Sequence, residues 1–201
     1  MIEQVYPVME IFYTIQGEGA WSGHAAYFVR LAGCDVGCVW CDVKDSWDAE
    51  NYPAYTATQI IEKFEPANSK IVVITGGEPA MYDLTPLTDE LKKQGYRVHI
   101  ETSGAYPLKG HFDWVCFSPK KFKKPVENFG ACADELKVIV FNKSDLQWAE
   151  TYQKDVETNC KLFLQPEWDK RDTVRDLIVD YVKTHPQWQV SLQTHKYLNI
   201  P

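Results

Sequence analysis

The sequence predicts an α/β fold, an open partial (β/α)6-like barrel that forms a single domain over residues 1–201. Strand-like segments alternate with amphipathic helical segments, which is typical of parallel sheets built from right-handed crossovers. The chain of 201 residues is long enough for one sizeable core. About six strands of this kind are too few for a closed eight-stranded barrel, whose chain is typically about 250 residues long.

The predicted strands are short apolar segments, of which residues 71–75 are the clearest. Four consecutive apolar residues there suit a strand that is covered on both faces. Strands are predicted, in order, at 27–32, 71–75, 97–102, 114–118, 136–141, 162–165 and 189–192. Helices with apolar residues three and four apart are predicted at 58–64, 84–94, 146–152 and 173–184. Asp83 and Asp172 are predicted N-caps, and Gly95 is predicted to end the second helix.

Composition limits the classes of partner. The formal net charge of -7 argues against binding to a nucleic-acid backbone, which draws its affinity from clustered lysine and arginine. We interpret Lys121, Lys123 and Lys124 in the one basic run as a solvated loop. No apolar run is long enough for a membrane span, and the first residues do not resemble a signal peptide. We therefore expect a cytoplasmic protein without a membrane or nucleic-acid partner.

Three cysteines within ten residues are the most informative feature of the chain. Cys34, Cys38 and Cys41 follow the spacing C-x3-C-x2-C. Thiolates are the usual protein ligands of iron–sulfur clusters, and four of them would complete a [4Fe-4S] centre for electron transfer. Three leave one iron with an open coordination site for chemistry. A structural zinc site is the alternative, but it fits less well because the other three cysteines stand singly.

Glycines and polar residues follow several predicted strands directly. Two glycines in Thr75-Gly76-Gly77-Glu78-Pro79 let a ligand approach the backbone closely, and the Glu78 carboxylate suits an ammonium group. Further polar segments end later strands, where parallel α/β folds bind ligands. They are Glu101-Thr102-Ser103-Gly104, Ser118-Pro119-Lys120 and Gln165-Pro166. Each of them alone is an ordinary strand-to-loop junction.

Polar groups near both ends of the chain are further candidates. Residues 15–19, Ile-Gln-Gly-Glu-Gly, present an amide and a carboxylate suited to the donors of a flat heterocycle. Arg30 lies among apolar residues, where it is costly unless paired; it forms either a structural salt bridge or a bidentate contact with a substrate carboxylate. Although most chain ends are disordered, the tail from Gln193 carries apolar anchors and is predicted to be ordered. His195 and the carboxylate of Pro201 are candidate ligands there.

These elements together resemble the 7-carboxy-7-deazaguanine synthase family of the radical S-adenosylmethionine (SAM) superfamily. The cysteine motif, with Trp40 before its third cysteine, and Thr-Gly-Gly-Glu-Pro are common to the superfamily. Gln-Gly-Glu-Gly and the closing Gln-Thr-His-Lys-Tyr-Leu-Asn-Ile-Pro are specific to the family. The resemblance implies a partial barrel of the radical SAM type.

The resemblance implies a carbon–nitrogen lyase with a [4Fe-4S] cluster on Cys34, Cys38 and Cys41, whose open iron chelates the methionine moiety of SAM. An electron from a flavodoxin or ferredoxin then releases a 5'-deoxyadenosyl radical, which takes a hydrogen atom from 6-carboxy-5,6,7,8-tetrahydropterin. Ring contraction and loss of ammonia give 7-carboxy-7-deazaguanine, a precursor of queuosine and other 7-deazapurines. A homodimer is also implied.

The resemblance further implies individual contacts with both small molecules. SAM contacts are implied for Trp40, Asp42, Gly77, Glu78, Glu101, Ser118, Pro119, Lys120 and Gln165. Substrate contacts are implied for Ile15, Gln16, Gly17, Glu18, Arg30, Thr75, His195 and Pro201.

One position departs from the family pattern. After the third cysteine and its aspartate the family has a threonine whose hydroxyl helps to bind Mg2+, and this chain has Val43. Valine offers no oxygen, whereas magnesium takes oxygen ligands in octahedral geometry. We therefore expect a weak or absent dependence on Mg2+.

Two other functions fit part of the pattern. A glycyl-radical activating enzyme shares the cluster and Gly-Gly-Glu-Pro, but it acts on a partner protein and has no need of the first and last motifs. A non-enzymatic metal-binding module would hold metal without responding to SAM.

Overall fold

The computed structural model describes residues 3–201 and shows nine strands in one sheet, covered by helices. The strands are β1 (Val5–Ile15), β2 (Ala25–Leu31), β3 (Ala54–Thr56), β4 (Ile71–Gly76), β5 (Arg97–Thr102), β6 (Trp114–Phe117), β7 (Glu135–Val140), β8 (Lys161–Pro166) and β9 (Trp188–Val190). The helices are α1 (Ala57–Glu62), α2 (Thr85–Lys93), α3 (Ser144–Gln153), α4 (Arg171–Thr184) and α5 (Thr194–Leu198). Residues 1 and 2 of the predicted domain lie outside the described residues.

The sheet is open, and most of it is parallel. Its strand order is β3-β1-β2-β4-β5-β6-β7-β8-β9. β1 runs antiparallel to both of its neighbours, whereas every neighbouring pair from β2 to β9 is parallel. Since β3 and β9 do not pair with each other, the sheet does not close. The predicted open α/β barrel is therefore confirmed.

The structure corrects several details of the prediction. β1 and β3 were not predicted, because β1 mixes polar and aromatic residues and β3 has only three residues. The expected alternation of strand and helix fails at two crossovers, since β5–β6 and β6–β7 are joined by segments without an α-helix. The predicted N-cap Asp172 is wrong, because α4 begins one residue earlier and continues from a 3-10 turn at Trp168–Lys170.

Other local predictions agree with the structure only in part. The predicted N-cap Asp83 is one residue too early, because Leu84 is the N-cap of α2, although the Asp83 carboxylate accepts a hydrogen bond from the backbone N–H of Thr85. Gly95, two residues beyond α2, has a φ of +77°, the left-handed conformation that commonly ends a helix. The tail forms α5, but its apolar residues Tyr197 and Leu198 are exposed and do not anchor it in the core. No helix within residues 3–201 combines the length and the apolar character needed to cross a membrane.

The two faces of the sheet differ sharply in polarity. In β7, Leu136, Val138 and Val140 are buried in the main hydrophobic core. Glu135 and Lys137, the alternate residues, are also buried, but they point to the other face because strand side chains alternate. β5 repeats the pattern, with apolar residues at 98 and 100 and polar residues at 99 and 101. The sheet therefore has an apolar face beneath the helices and a polar face lining a cleft.

Candidate active site

A cleft of about 270 Å³ opens on the polar face of the sheet. Its walls combine the cysteine loop, the carboxyl ends of the parallel strands, the segment after β1 and the tail of the chain. The cleft is lined by every residue predicted for the site except Pro119. Segments far apart in the sequence therefore converge on one site.

The cysteine loop after β2 is shaped by hydrogen bonds of its own backbone. Gly33 and Gly37 have φ values of +96° and +75°, which glycine adopts readily. The N–H of Gly33 donates to the carbonyl of Ser46 at 2.7 Å, and the N–H of Cys41 donates to the carbonyl of Cys38 at 3.1 Å. The loop is thus folded back on itself with its cysteines facing the cleft.

A side-chain contact ties the cysteine loop to the segment after β5. Asp35 accepts hydrogen bonds from the Tyr106 hydroxyl and from Lys123 Nζ, the latter at 2.6 Å. Lys121, on the same basic run, pairs with Asp145. Lys121 and Lys124 are exposed and Lys123 is partly buried, which agrees with a solvated loop, although Lys121 and Lys123 each have a carboxylate partner.

The three cysteines fit a cubane cluster. Cys34 and Cys41 pack against a small buried group that contains Cys38, and all three line the cleft as free thiols. Among residues 3–201 no three His, Cys, Asp or Glu side chains converge on a single ion, which is the geometry that zinc needs. In a [4Fe-4S] cluster each cysteine binds a different iron, so the thiolates surround the cluster. The loop would supply three such ligands to a cluster bound beside the cleft.

Burial changes the acidity of these thiols. Removal from water raises the pKa of Cys34, and it raises the pKa of Cys38 to about 11. Metal ligation requires thiolates, so cluster assembly has to displace protons from these residues.

The glycine turn after β4 lies directly against the cysteine loop. Gly77 donates from its N–H to the carbonyl of Leu31 at 2.8 Å, and Glu78 donates to the carbonyl of Gly33 at 2.9 Å. A Cβ at Gly77 would lie 2.9 Å from the Cβ of Cys34, closer than side chains approach. Because Gly77 has no side chain, both the cysteine loop and a ligand can approach its backbone closely.

The Glu78 carboxylate is occupied by hydrogen bonds within the protein. It accepts from the backbone N–H groups of Ala80 and Ser103 and from the hydroxyls of Thr102 and Ser103. These four donors fill the acceptor sites of both oxygens. Glu78 thus fastens the end of β4 to the end of β5, and an ammonium ligand at this carboxylate would have to displace one of the hydroxyls.

The last strands and the segment after β6 complete the opposite side of the cleft. Lys120 Nζ donates to the carbonyl and to the hydroxyl of Ser118, the hydroxyl at 2.6 Å. Burial lowers the pKa of Lys120. Gln165 Oε1 accepts from the hydroxyl of Ser191 at 2.7 Å, and that hydroxyl in turn accepts from the N–H of Gly19. Gln165 is therefore linked to the segment after β1.

The segment after β1 and the C-terminal tail form one wall across the open side of the sheet. Thr194 donates from its N–H and from its hydroxyl to the carbonyl of Gly17, both at 3.0 Å. Asn199 ends α5 with a φ of +54°, which turns the chain back so that a carboxylate oxygen of Pro201 accepts from the Thr14 hydroxyl at 3.4 Å. The tail is thereby held against the end of β1 and the segment that follows it.

We expect Gly17→Ala to disrupt this wall. The φ of Gly17 is not strained, but a Cβ there would lie 2.8 Å from the backbone nitrogen of His195 and would overlap its imidazole. Overpacking of this kind costs about 1–3 kcal/mol. Denaturant unfolding should show a loss of that size, and carboxypeptidase should remove the tail faster than in the native protein. Unchanged digestion would contradict the close contact.

Arg30 forms the structural salt bridge that was one of the two roles the sequence left open. Its Nε donates to Glu10 Oε1 at 2.5 Å, which is a salt bridge on the protein side. Arg30 also lines the cleft. Because the pair engages Nε, the two terminal nitrogens of the guanidinium group are left for a ligand.

Several residues that line the cleft were not predicted from the sequence. They include Lys137 and Ile139 on β7, Glu167 and Trp168 after β8, and Gln193 in the tail. One available signal was the charge at alternate positions of an otherwise apolar strand, which indicates a polar face within a buried sheet. The residues after β8 carried no such pattern.

Comparisons with known proteins agree with the site. Residues 29–123 match the family model described as the Radical SAM superfamily, whose members use a [4Fe-4S] cluster and SAM. The proteins named 7-carboxy-7-deazaguanine synthase from Flavobacterium psychrophilum and Synechocystis sp. are 54% and 48% identical to the chain. The alignments cover 98% and 97% of this chain and 94% and 93% of those relatives.

A solved structure extends the likeness to the fold. The crystal structure of QueE from Escherichia coli superposes with a TM-score of 0.85 at 31% identity and covers 94% of each chain. The chain therefore belongs to the 7-carboxy-7-deazaguanine synthase family of radical SAM enzymes.

Proposed function

We propose that this protein is a radical SAM lyase that converts 6-carboxy-5,6,7,8-tetrahydropterin to 7-carboxy-7-deazaguanine and ammonia. The proposal rests mainly on the wall that residues 16–22 and the tail form beside the cysteine loop. A glycyl-radical activating enzyme, which acts on a partner protein, does not need such a wall. The names of relatives that match over nearly the whole chain support the same activity.

We assign the SAM site to the side of the cleft next to the cysteines. When bound, the cluster and SAM supply the radical that takes a hydrogen atom from the substrate. The backbone at Gly77 and the hydrogen-bonded Glu78 shape the pocket for the methionine end. Glu101, Ser118, Lys120 and Gln165 face the remainder of SAM. Trp40 and Asp42 complete the site beside the third cysteine, whereas Pro119 shapes its loop without lining the cleft.

We assign the pterin to the wall. Glu18 has its pKa lowered to about 2, so it is a carboxylate that accepts from the N–H donors of the pterin, with Gln16 and the Pro201 carboxylate beside it. Arg30 contacts the substrate carboxylate through its terminal nitrogens. Burial lowers the pKa of His195, so its imidazole is neutral near pH 7. Thr75, Ile15 and Gly17 line the same part of the cleft.

Anaerobic turnover tests the function. Cluster-loaded protein is incubated with SAM, a reductant and 6-carboxy-5,6,7,8-tetrahydropterin, and the products are followed by mass spectrometry. We expect 7-carboxy-7-deazaguanine, with ammonia in equal amount. SAM cleavage without any deazaguanine would refute the substrate, and no response to SAM would refute the radical chemistry as well.

We infer a weak or absent Mg2+ requirement. Val43 lines the cleft without a side-chain oxygen, and its carbonyl accepts from the Ser46 hydroxyl at 2.6 Å. The neighbouring Asp42 is paired with Lys196 at 2.8 Å. The oxygens near this position are therefore already engaged, although Mg2+ needs several of them.

Val43→Thr should introduce a Mg2+ requirement. After chelation, the native protein is expected to change its turnover by less than about twofold on addition of Mg2+, whereas the threonine variant should respond more strongly because it gains an oxygen ligand. Val43→Ala is the matched control, since it alters the side chain without adding oxygen. A strong Mg2+ requirement in the native protein would overturn the inference.

We also propose that a flavodoxin or ferredoxin reduces the cluster and that the enzyme works as a cytoplasmic homodimer. Val39, between the cluster cysteines, is 68% exposed, so an electron donor can approach the cysteine loop closely. The six free thiols suit a reducing compartment. Sedimentation of the cluster-loaded protein tests the dimer, and turnover with each purified donor tests the reductant.

A further inference from the structure

A buried lysine stands at the centre of the cleft. Lys137 projects from the polar face of β7, and its side chain is 3% exposed. Its Nζ lies 2.5 Å from Glu18 Oε2 and 3.4 Å from Glu101 Oε2. Lys137 therefore connects the wall that we assign to the pterin with a residue that we assign to SAM.

Each of the two carboxylates is held from both sides. Glu18 Oε1 accepts from Gln193 Nε2 at 2.9 Å, while its other oxygen is bound by Lys137. Glu101 Oε1 accepts from Gln16 Nε2 at 2.9 Å, while its other oxygen faces Lys137. Because charge-assisted hydrogen bonds are short and strong, Lys137 fixes the orientation of Glu18 in particular.

The groups around Glu18 show why a positive charge is needed beside its carboxylate. Burial by itself raises the pKa of Glu18, but the charge and hydrogen bond of Lys137, together with smaller contributions from Gln193 and His195, lower it to about 2. Burial likewise opposes the charge on Lys137, yet the neighbouring acidic groups hold its pKa well above the ordinary range. The other titratable groups around the pair are Glu101, Cys116, Glu135, Lys120 and His195. Without Lys137, the remaining carboxylates would favour a protonated Glu18.

We propose that Lys137 is a positioning residue that keeps Glu18 ionised and oriented as the acceptor for the donor edge of the pterin. This role rests on the proposed function, because it concerns the same substrate site. A protonated Glu18 would itself present a donor to the substrate's donors. The binding of substrate should therefore depend on the charge at Lys137, although Lys137 acts only through Glu18.

Lys137→Met tests the role through the pH dependence of binding. The affinity of the cluster-loaded protein for 6-carboxy-5,6,7,8-tetrahydropterin is measured anaerobically with saturating SAM. The raised pKa of Glu18 in the variant means that Glu18 gains a proton as the pH falls, so binding weakens toward acid. We expect affinity about tenfold or more lower at about pH 5.5 than at about pH 8.5. His195 is present in both proteins, so the difference between their profiles isolates the new titration.

Two further variants make the test specific. Lys137→Arg retains the charge and should restore the native pH profile, whereas a merely space-filling role would not distinguish arginine from methionine in this way. Lys161→Met, at an exposed position of the neighbouring strand β8, is the matched control and should leave the profile unchanged. A native profile in Lys137→Met would overturn the proposal.

Loss of one member of a buried ion pair is often strongly destabilising. A second comparison therefore tests the proposal without relying on the folding of the single variant Lys137→Met. Glu18→Gln and the double variant Glu18→Gln/Lys137→Met leave no unpaired charge at residue 18. If Lys137 acts through Glu18, the double variant should bind substrate within about twofold of the single one. A much larger additional loss would refute the proposed route.

A measurement without substrate separates this proposal from the proposed function. Carbon-13 NMR of labelled glutamate carboxyls, with Glu18 assigned by its loss in Glu18→Gln, should show no Glu18 titration over the folded pH range of the native protein. Lys137→Met should show one above the ordinary value of 4.5. Failure of the native protein to bind the pterin would refute the function, whereas an unshifted Glu18 would refute the role of Lys137.

Discussion

Replacing Cys34, Cys38 or Cys41 with alanine should reduce turnover to background and sharply lower the iron content. If the three cysteines of the loop, which pack together beside the cleft, hold the cluster as proposed, no other thiol of the loop can replace any one of them. SAM binding should fall with the iron, since the open iron is its anchor in this superfamily. Iron per folded protein and SAM affinity, measured anaerobically after reconstitution, test the expectation.

Alanine at each of the other three cysteines is the matched control. Cys116 and Cys160 are buried and Cys132 is exposed, and none of them lines the cleft. The buried substitutions are expected to lower stability, because each leaves a small cavity. Their iron content per folded protein should nevertheless stay near normal. Loss of iron in this second set would show that the cluster has another ligand.

The parallel part of the fold could be predicted because its strands are buried under helices. A strand such as β4 is therefore a continuous apolar run in the sequence, and this local pattern does not depend on which strands lie beside it. β1 was missed because it is an antiparallel strand with mixed exposure, and its register depends on β2 rather than on a local pattern. The helix-free crossovers after β5 and β6 could not be foreseen either, because their packing is set by long-range contacts.

The motifs of the site could be predicted from the sequence, but the hydrogen bonds and ion pairs within the site could not. Strand ends, cysteine spacing and the tail all led to residues that line one cleft. The sequence gives no indication that the Glu78 carboxylate is filled by Thr102 and Ser103. Similarly, the pairing of Lys137 with Glu18 joins residues more than a hundred positions apart. Such pairings depend on the three-dimensional arrangement of strands.

The C-terminal carboxylate should prove to be part of the substrate site. Deleting Ile200 and Pro201, or adding a single alanine after Pro201, should lower turnover by about a hundredfold, the cost of a small misplacement in an active site. The added residue moves the carboxylate by about 3.5 Å while it leaves the rest of the chain intact. SAM binding should survive, because the tail is part of the wall that we assign to the pterin.

Pro201→Ala is the matched control for this prediction, because it changes the last side chain but keeps a carboxylate at the same position. Pro201 is exposed, and its carboxylate makes only a long hydrogen bond with the Thr14 hydroxyl, at 3.4 Å, so neither the substitution nor the extension should reduce the free energy of unfolding by much. Turnover, SAM affinity and denaturant unfolding are measured on each variant. The expected order is native activity, then nearly equal activity for Pro201→Ala, and a steep loss for the extended and the truncated chains. Full activity in the extended chain would mean that the carboxylate of Pro201 does not contact the substrate, and loss in Pro201→Ala would assign the contact to the proline ring instead.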